Sequence, residues 1–96
     1  MEKLKQGLTI PMYVLHYIDS MEDLNEKIEK INFLKKEYPL DDRKNIFASL
    51  EWAMDNKDYN FLSLMSYAND RFSNNDIFQY LNKLYILFKQ RNLNIS

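Results

Sequence analysis

The sequence predicts an all-α fold, an antiparallel helical bundle of four to five helices in a single domain over residues 1–96. Three observations predict it. Ile77, Leu81, Leu84, Tyr85 and Phe88 recur at spacings of four, three, one and three residues, which is one face of an α-helix. One glycine and two prolines in the whole chain are too few for the tight turns of a multi-stranded sheet. Ser20 and Ser73 each precede an apolar periodic run and are followed three residues later by an aspartate, the pattern of a capped helix start.

The elements follow in order. Met1 to Gly7 is polar, and Thr9 with Pro11 points to a helix that begins there, since proline fits a first turn. Met12, Leu15 and His16 then face inward, with Tyr13 and Tyr17 at the edges. Ser20 caps a second helix in which Met21, Leu24, Ile28, Ile31, Leu34 and Tyr38 form the apolar stripe, and Pro39 ends it. Asp41 or Asp42 caps a third helix running to about Asn56, with Ile46, Phe47, Leu50, Ala53 and Met54 buried. A polar break, Asn56 to Asn60, leads to a short apolar segment, Phe61 to Tyr67, read as two turns of helix. The last helix runs from Ser73 to Asn92, with Lys89 and Arg91 suited to its carbonyl end. The core is expected to hold Leu24, Ile28, Ile31, Leu50, Ala53, Ile77, Leu81, Leu84 and Phe88.

Composition narrows the function classes. A hydrophobic content of 46% with 28% charged residues describes a folded chain, and a net charge of −1 gives no general attraction to nucleic acid. The charge is uneven. Residues 41–76 carry seven acids against four bases, whereas residues 77–96 carry three bases and no acid. The absence of cysteine rules out disulfide and thiolate chemistry and suits a reducing cytoplasm. The apolar run Leu8 to Ile18 behind Lys3 and Lys5 resembles a short signal peptide, but it contains Pro11 and His16 and is followed by Asp19 and Glu22 rather than a small-residue cleavage site. It is also shorter than the ~20 residues a bilayer requires, so no membrane association is expected.

Chemistry is sparse. A zinc site needs several histidine or cysteine ligands and the chain has only His16, so the expected reading is a packed histidine and no metal. Phosphate-cradling glycine motifs are impossible with one glycine, and no cofactor is expected. Glu51 and Asp55 share a helix face at i, i+4, with Asp58 near the helix end. Such carboxylates can serve as an acid–base pair or bind a hard cation, but a solvated acidic face is the simpler reading. Seven tyrosines are more than the inner stripes accommodate: Tyr13, Tyr17, Tyr59, Tyr67 and Tyr80 do not all fit on them. Tyrosine favours protein interfaces because a large apolar ring ends in a hydrogen-bonding group.

Two stretches carry a resemblance. Leu50-Glu51-Trp52-Ala53-Met54-Asp55-Asn56-Lys57-Asp58-Tyr59-Asn60-Phe61 reads as a helix end followed by an Asn-x-x-Tyr-x-Phe turn, and Phe72-Ser73-Asn74-Asn75-Asp76-Ile77-Phe78-Gln79-Tyr80-Leu81 opens the last helix. Together they resemble small helical immunity proteins of bacterial toxin–immunity systems, including contact-dependent growth inhibition, over about half the chain from Ile46 onward. The resemblance implies a cytoplasmic protein without enzymatic activity that binds the C-terminal domain of a cognate toxin, often a nuclease. The chain is expected to be a monomer or weak homodimer when unbound. The immunity proteins to DNase colicins carry Asp-x-Tyr-Tyr-Pro, whereas the nearest stretch here is Asp58-Tyr59-Asn60-Phe61, so a different branch is implied. The expected binding face is Glu51, Asp55, Asp58 and Tyr59, with Trp52 or Tyr80 as an aromatic anchor. The alternative is a helical adaptor or regulator of phage or plasmid type that binds a host protein.

Overall fold

The computed structural model describes residues 2–64 and 72–95. Four α-helices account for most of them: α1 Glu2–Val14, α2 Met21–Lys27, α3 Leu40–Asp55 and α4 Asn74–Gln90. Four short 3₁₀ turns, Leu15–Tyr17, Ile28–Lys30, Asn32–Leu34 and Phe61–Leu64, bend the chain between them, and no strand occurs among the described residues. The radius of gyration of 12.4 Å matches the roughly 12.5 Å expected of a folded chain this long. No helix among the described residues is long and apolar enough to cross a membrane.

Helix α4 forms as the sequence predicts. Ser73 Oγ accepts from Asp76 N at 3.0 Å, and Asp76 Oδ2 accepts from Ser73 N at 3.1 Å, a reciprocal capping box. Ile77, Tyr80, Leu81, Leu84 and Phe88 line its buried face. The other end closes through Asn92, the one described residue with positive φ (54°). There Asn92 N donates to Lys89 O and Leu93 N to Phe88 O, the two bonds of a Schellman motif. Helices α3 and α4 run antiparallel. Phe47 stacks with Tyr85 and Phe88, with ring centroids 5.3 and 6.2 Å apart, while the turn after α3 meets the start of α4.

Three expectations are corrected by packing. Helix α1 starts at Glu2 rather than near Thr9, and Pro11 lies inside it. Proline there forfeits the bond its N–H would make to the Gly7 carbonyl, but the buried Leu8, Met12 and Leu15 hold the helix against the core. The second helix does not reach Pro39. It stops at Lys27, and Ile31 turns extended (φ −66°, ψ 134°) between two 3₁₀ turns. A continuous helix would point Phe33 away from the Leu24–Ile28–Ile31 stripe. The break lets Phe33 and Leu34 bury together with that stripe, and β-branched isoleucines with Asn32 hold the helix weakly. Helix α3 is not capped by Asp41 or Asp42. Pro39 occupies the cap position with no side-chain bond, and both aspartates lie in the first turn, where negative charge suits the dipole. Of the short segment expected over Phe61 to Tyr67, Phe61–Leu64 is a 3₁₀ turn and the rest, Tyr67 included, lies outside the described residues.

All nine expected core residues are buried. The sequence reading missed two polar residues on the inner face of α3, Arg43 and Ser49. Arg43 donates from Nε to Tyr38 O (2.8 Å), from Nη1 to Leu93 O (2.6 Å) and from Nη2 to Lys36 O (3.3 Å), and Lys36 Nζ in turn donates to Asn92 O (2.7 Å). Ser49 Oγ donates to Asn45 O at 3.0 Å and sits against Gly7, where α1 and α3 approach closely. A Cβ on Gly7 would collide with Ser49 Oγ and lie 2.8 Å from the Asn45 carbonyl oxygen, so the backbones themselves would have to part.

Gly7→Ala should therefore lower stability by ~1–3 kcal/mol in chemical denaturation, although alanine is the better helix former. An unchanged or raised midpoint would show that α1 does not pack on α3 at this distance.

Candidate functional site

The candidate site is the end of the bundle where α3 gives way to the turn leading toward α4. Asn56 closes α3: its N–H donates to Ala53 O (3.1 Å) and its Nδ2 to Trp52 O (2.8 Å). Tyr59 N then donates to Asn56 O (2.9 Å), and Ser63 Oγ to Asn60 O (2.7 Å). Asn74, the first residue of α4, holds this turn from the other side. Its Oδ1 accepts from Phe61 N (2.6 Å) and Leu62 N (3.3 Å), and its Nδ2 donates to Tyr59 O (2.9 Å). The sequence reading passed over Asn74 because its partners lie 12 to 15 residues away. Its amide is the kind of group that can bond a backbone donor and a backbone acceptor at once.

Aromatic rings line the same end. Trp52 meets Tyr59 edge-to-face at 5.0 Å, Tyr59 meets Phe61 likewise at 5.4 Å, and Phe61 lies 6.3 Å from Phe78. Phe61 is buried, whereas Trp52, Tyr59 and Phe78 are half-buried, so the row is rooted in the core at Phe61 and reaches toward the surface at both ends. Glu51, Asp55 and Asp58 are exposed beside it. Asp55 is the last residue of α3, no basic residue lies in that last turn, and none of the three carboxylates pairs with a cation among the described residues. Negative charge at a helix C-terminus opposes the helix dipole, so Asp55 sits where its charge is unfavourable. A cleft of about 510 Å³ opens nearby, lined by Lys57, Asp58, Asn74, Asn75 and Phe78. Among the described residues no three acids or histidines come together as metal ligands would.

Five of the six expected site residues, Glu51, Trp52, Asp55, Asp58 and Tyr59, thus fall at one end of the molecule. The sixth is corrected: Tyr80 is 0% exposed, and its hydroxyl donates to Pro11 O at 2.8 Å, tying α4 to α1. It cannot anchor a partner. Burial pushes its phenol far above the usual range, because the phenolate would be stripped of water. His16 is corrected as well. It is exposed, stacked on Tyr13 at 6.0 Å and edge-on to Tyr17 at 5.3 Å.

No protein-family model, curated protein or solved structure matches the chain.

Asn74→Ala should cost ~1–3 kcal/mol by leaving the turn's backbone groups without their partner, and amide exchange at Phe61 and Leu62 should quicken. Unaltered exchange at both amides would mean that the turn is held by something else. The raised phenol of Tyr80 makes a second prediction. Above pH about 10 the unfolded tyrosine loses its proton while the folded one keeps it. The stabilisation is therefore complete below pH about 10 and lost above it, by up to ~1.4 kcal/mol per pH unit. Tyr80→Phe should flatten that alkaline decline in unfolding free energy, and an identical slope in both proteins would contradict it.

Proposed function

We propose that this chain is an immunity protein that binds and neutralises the toxic domain of a cognate bacterial protein, one to one, in the cytoplasm. One observation supports the reading above the others: Glu51, Asp55 and Asp58 stand unpaired among the described residues at the negative end of α3, next to a half-buried Trp52–Tyr59 pair. Carboxylates so placed cost the isolated protein some stability, and a lysine or arginine supplied by a partner relieves that cost. A nuclease domain offers such cations, since its substrate surface must attract phosphates.

The arrangement suits inhibition by occlusion. Unpaired surface acids steer a basic partner during the encounter, and desolvated pairs then slow its departure. Trp52 and Tyr59 supply the large, stiff apolar surface on which binding energy concentrates. The Asn74 clamp fixes the turn before binding, which lowers the entropic cost of association. Binding of this kind calls on no catalytic group of the inhibitor.

Where a neighbouring gene encodes a large secreted protein with a variable C-terminal domain, co-expression of this chain should rescue cells that the domain otherwise kills. Equal killing with and without this protein would refute the reading. Asp55→Lys combined with Asp58→Lys should weaken binding of that domain by at least ~100-fold, through lost charge pairs. The same variant should be as stable alone as the parent or more so, by ~0.3–1 kcal/mol, because the unfavourable charge at the end of α3 is reversed. Equal binding at low salt would move the interface off this end of the bundle.

A further inference from the structure

A second surface is built differently. At the C-terminal end of α1, Tyr13 and Tyr17 are 54% and 64% exposed, the largest side chains left so open among the described residues. They are not loose. Their hydroxyls are hydrogen-bonded to each other at 3.1 Å, their rings meet edge-to-face at 5.6 Å, and His16 packs against both. Beside them lies a groove of about 440 Å³, floored by Val14, Ile18 and Ile31 and rimmed by Lys27 and Lys30. The volume lies within the roughly 300–1,000 Å³ of sites that hold compact ligands. No acidic residue lines it among the described residues. Lys30 makes no ion pair among the described residues. Lys27 is bonded to Asp23 at 3.2 Å, an exposed pair that a second carboxylate can share.

We propose that this groove docks an acidic peptide segment of a protein partner. An apolar side chain of the segment rests on the floor of Val14, Ile18 and Ile31 beside the paired tyrosine rings, and flanking carboxylates meet Lys30 and Lys27. Charge complementarity selects that occupant: the charged residues that line the groove among the described residues are both lysines, whereas the chain as a whole is slightly acidic, which disfavours a nucleic-acid backbone. The ring contacts hold the tyrosines in place before anything binds, and preorganised aromatic surface is the cheapest to use in recognition. The proposal goes beyond the toxin-neutralising reading and is independent of it, since the acids at the end of α3 take no part.

The test uses the full-length protein and a fluorescein-labelled peptide, acetyl-Asp-Glu-Phe-Asp-Glu-amide, with its Asn/Gln counterpart and a short oligothymidylate as comparison probes. Fluorescence anisotropy should show the acidic peptide binding at least about tenfold more tightly than the neutral one, with salt weakening the difference. Chemical-shift changes should centre on Tyr13, Tyr17, Lys30 and Ile31. Lys30→Glu and, separately, Tyr17→Ala should each reduce binding by about tenfold or more, and both replace exposed side chains, so a matching circular dichroism melt establishes that the fold is intact. Asp55→Lys with Asp58→Lys should leave the affinity within about twofold, which separates this groove from the acidic end. The proposal is overturned if the two peptides bind alike, if Lys30→Glu has no effect, or if oligothymidylate binds more tightly than the acidic peptide.

Discussion

Arg43 donates to the carbonyls of Lys36, Tyr38 and Leu93 from a position nearly closed to water, and one end of the bundle depends on those bonds. The segment between α2 and α3 is irregular, and the carbonyls of Lys36 and Tyr38 lie outside its two short 3₁₀ turns. A guanidinium, with five donors in a planar fork, can satisfy several such groups at once and remain charged in doing so. The same side chain fixes where the chain beyond α4 must lie, because Leu93 O is one of its acceptors and Leu93 itself is buried. The Schellman turn at Asn92 brings that carbonyl into reach. Helix ends, an irregular crossing and a buried charge thus solve one another's unsatisfied bonds.

The far end of the bundle is held by a weaker device, one side-chain amide, and there the exposed acids and the outward row of rings are found. Arg43 sits among backbone carbonyls that hold it fast, whereas Glu51, Asp55 and Asp58 are bonded to no cation among the described residues. Stability and surface chemistry are therefore separated along the length of α3. Its N-terminal acids, Asp41 and Asp42, agree with the helix dipole, while Asp55 at its other end opposes it.

The helical stripes made most of the fold legible in the sequence. In α4 the stripe, Ser73 and Asp76 all agree, and local chemistry is enough. In α2 the stripe misleads, because Ile28 and Ile31 keep helical spacing across a break that only the burial of Phe33 explains. Pro11 misleads for the reverse reason: a local rule about first turns yields to core contacts on either side of it. Arg43 and Tyr80 were illegible because a sequence does not show where a distant carbonyl points, and Ser49 because its burial depends on the approach of Gly7 from another helix. At the candidate site the shared face of Glu51 and Asp55 could be read from spacing, but neither the Trp52–Tyr59 ring contact nor the clamp that shapes the turn could. The i, i+4 spacing of Tyr13 and Tyr17 was readable too, though not the groove between their helix and the 3₁₀ turn that follows α2.

Asn74 bonds only main-chain atoms of the turn it holds: Tyr59 O, Phe61 N and Leu62 N. The contour of that turn is thus set without reference to the side chains it displays. Substitution at Lys57, Asp58 or Asn60 leaves every bond of the clamp in place, since each presents an exposed side chain that Asn74 does not touch. A surface of this construction can be re-lettered many times over on an unchanged backbone. That freedom of surface resides here in a single carboxamide.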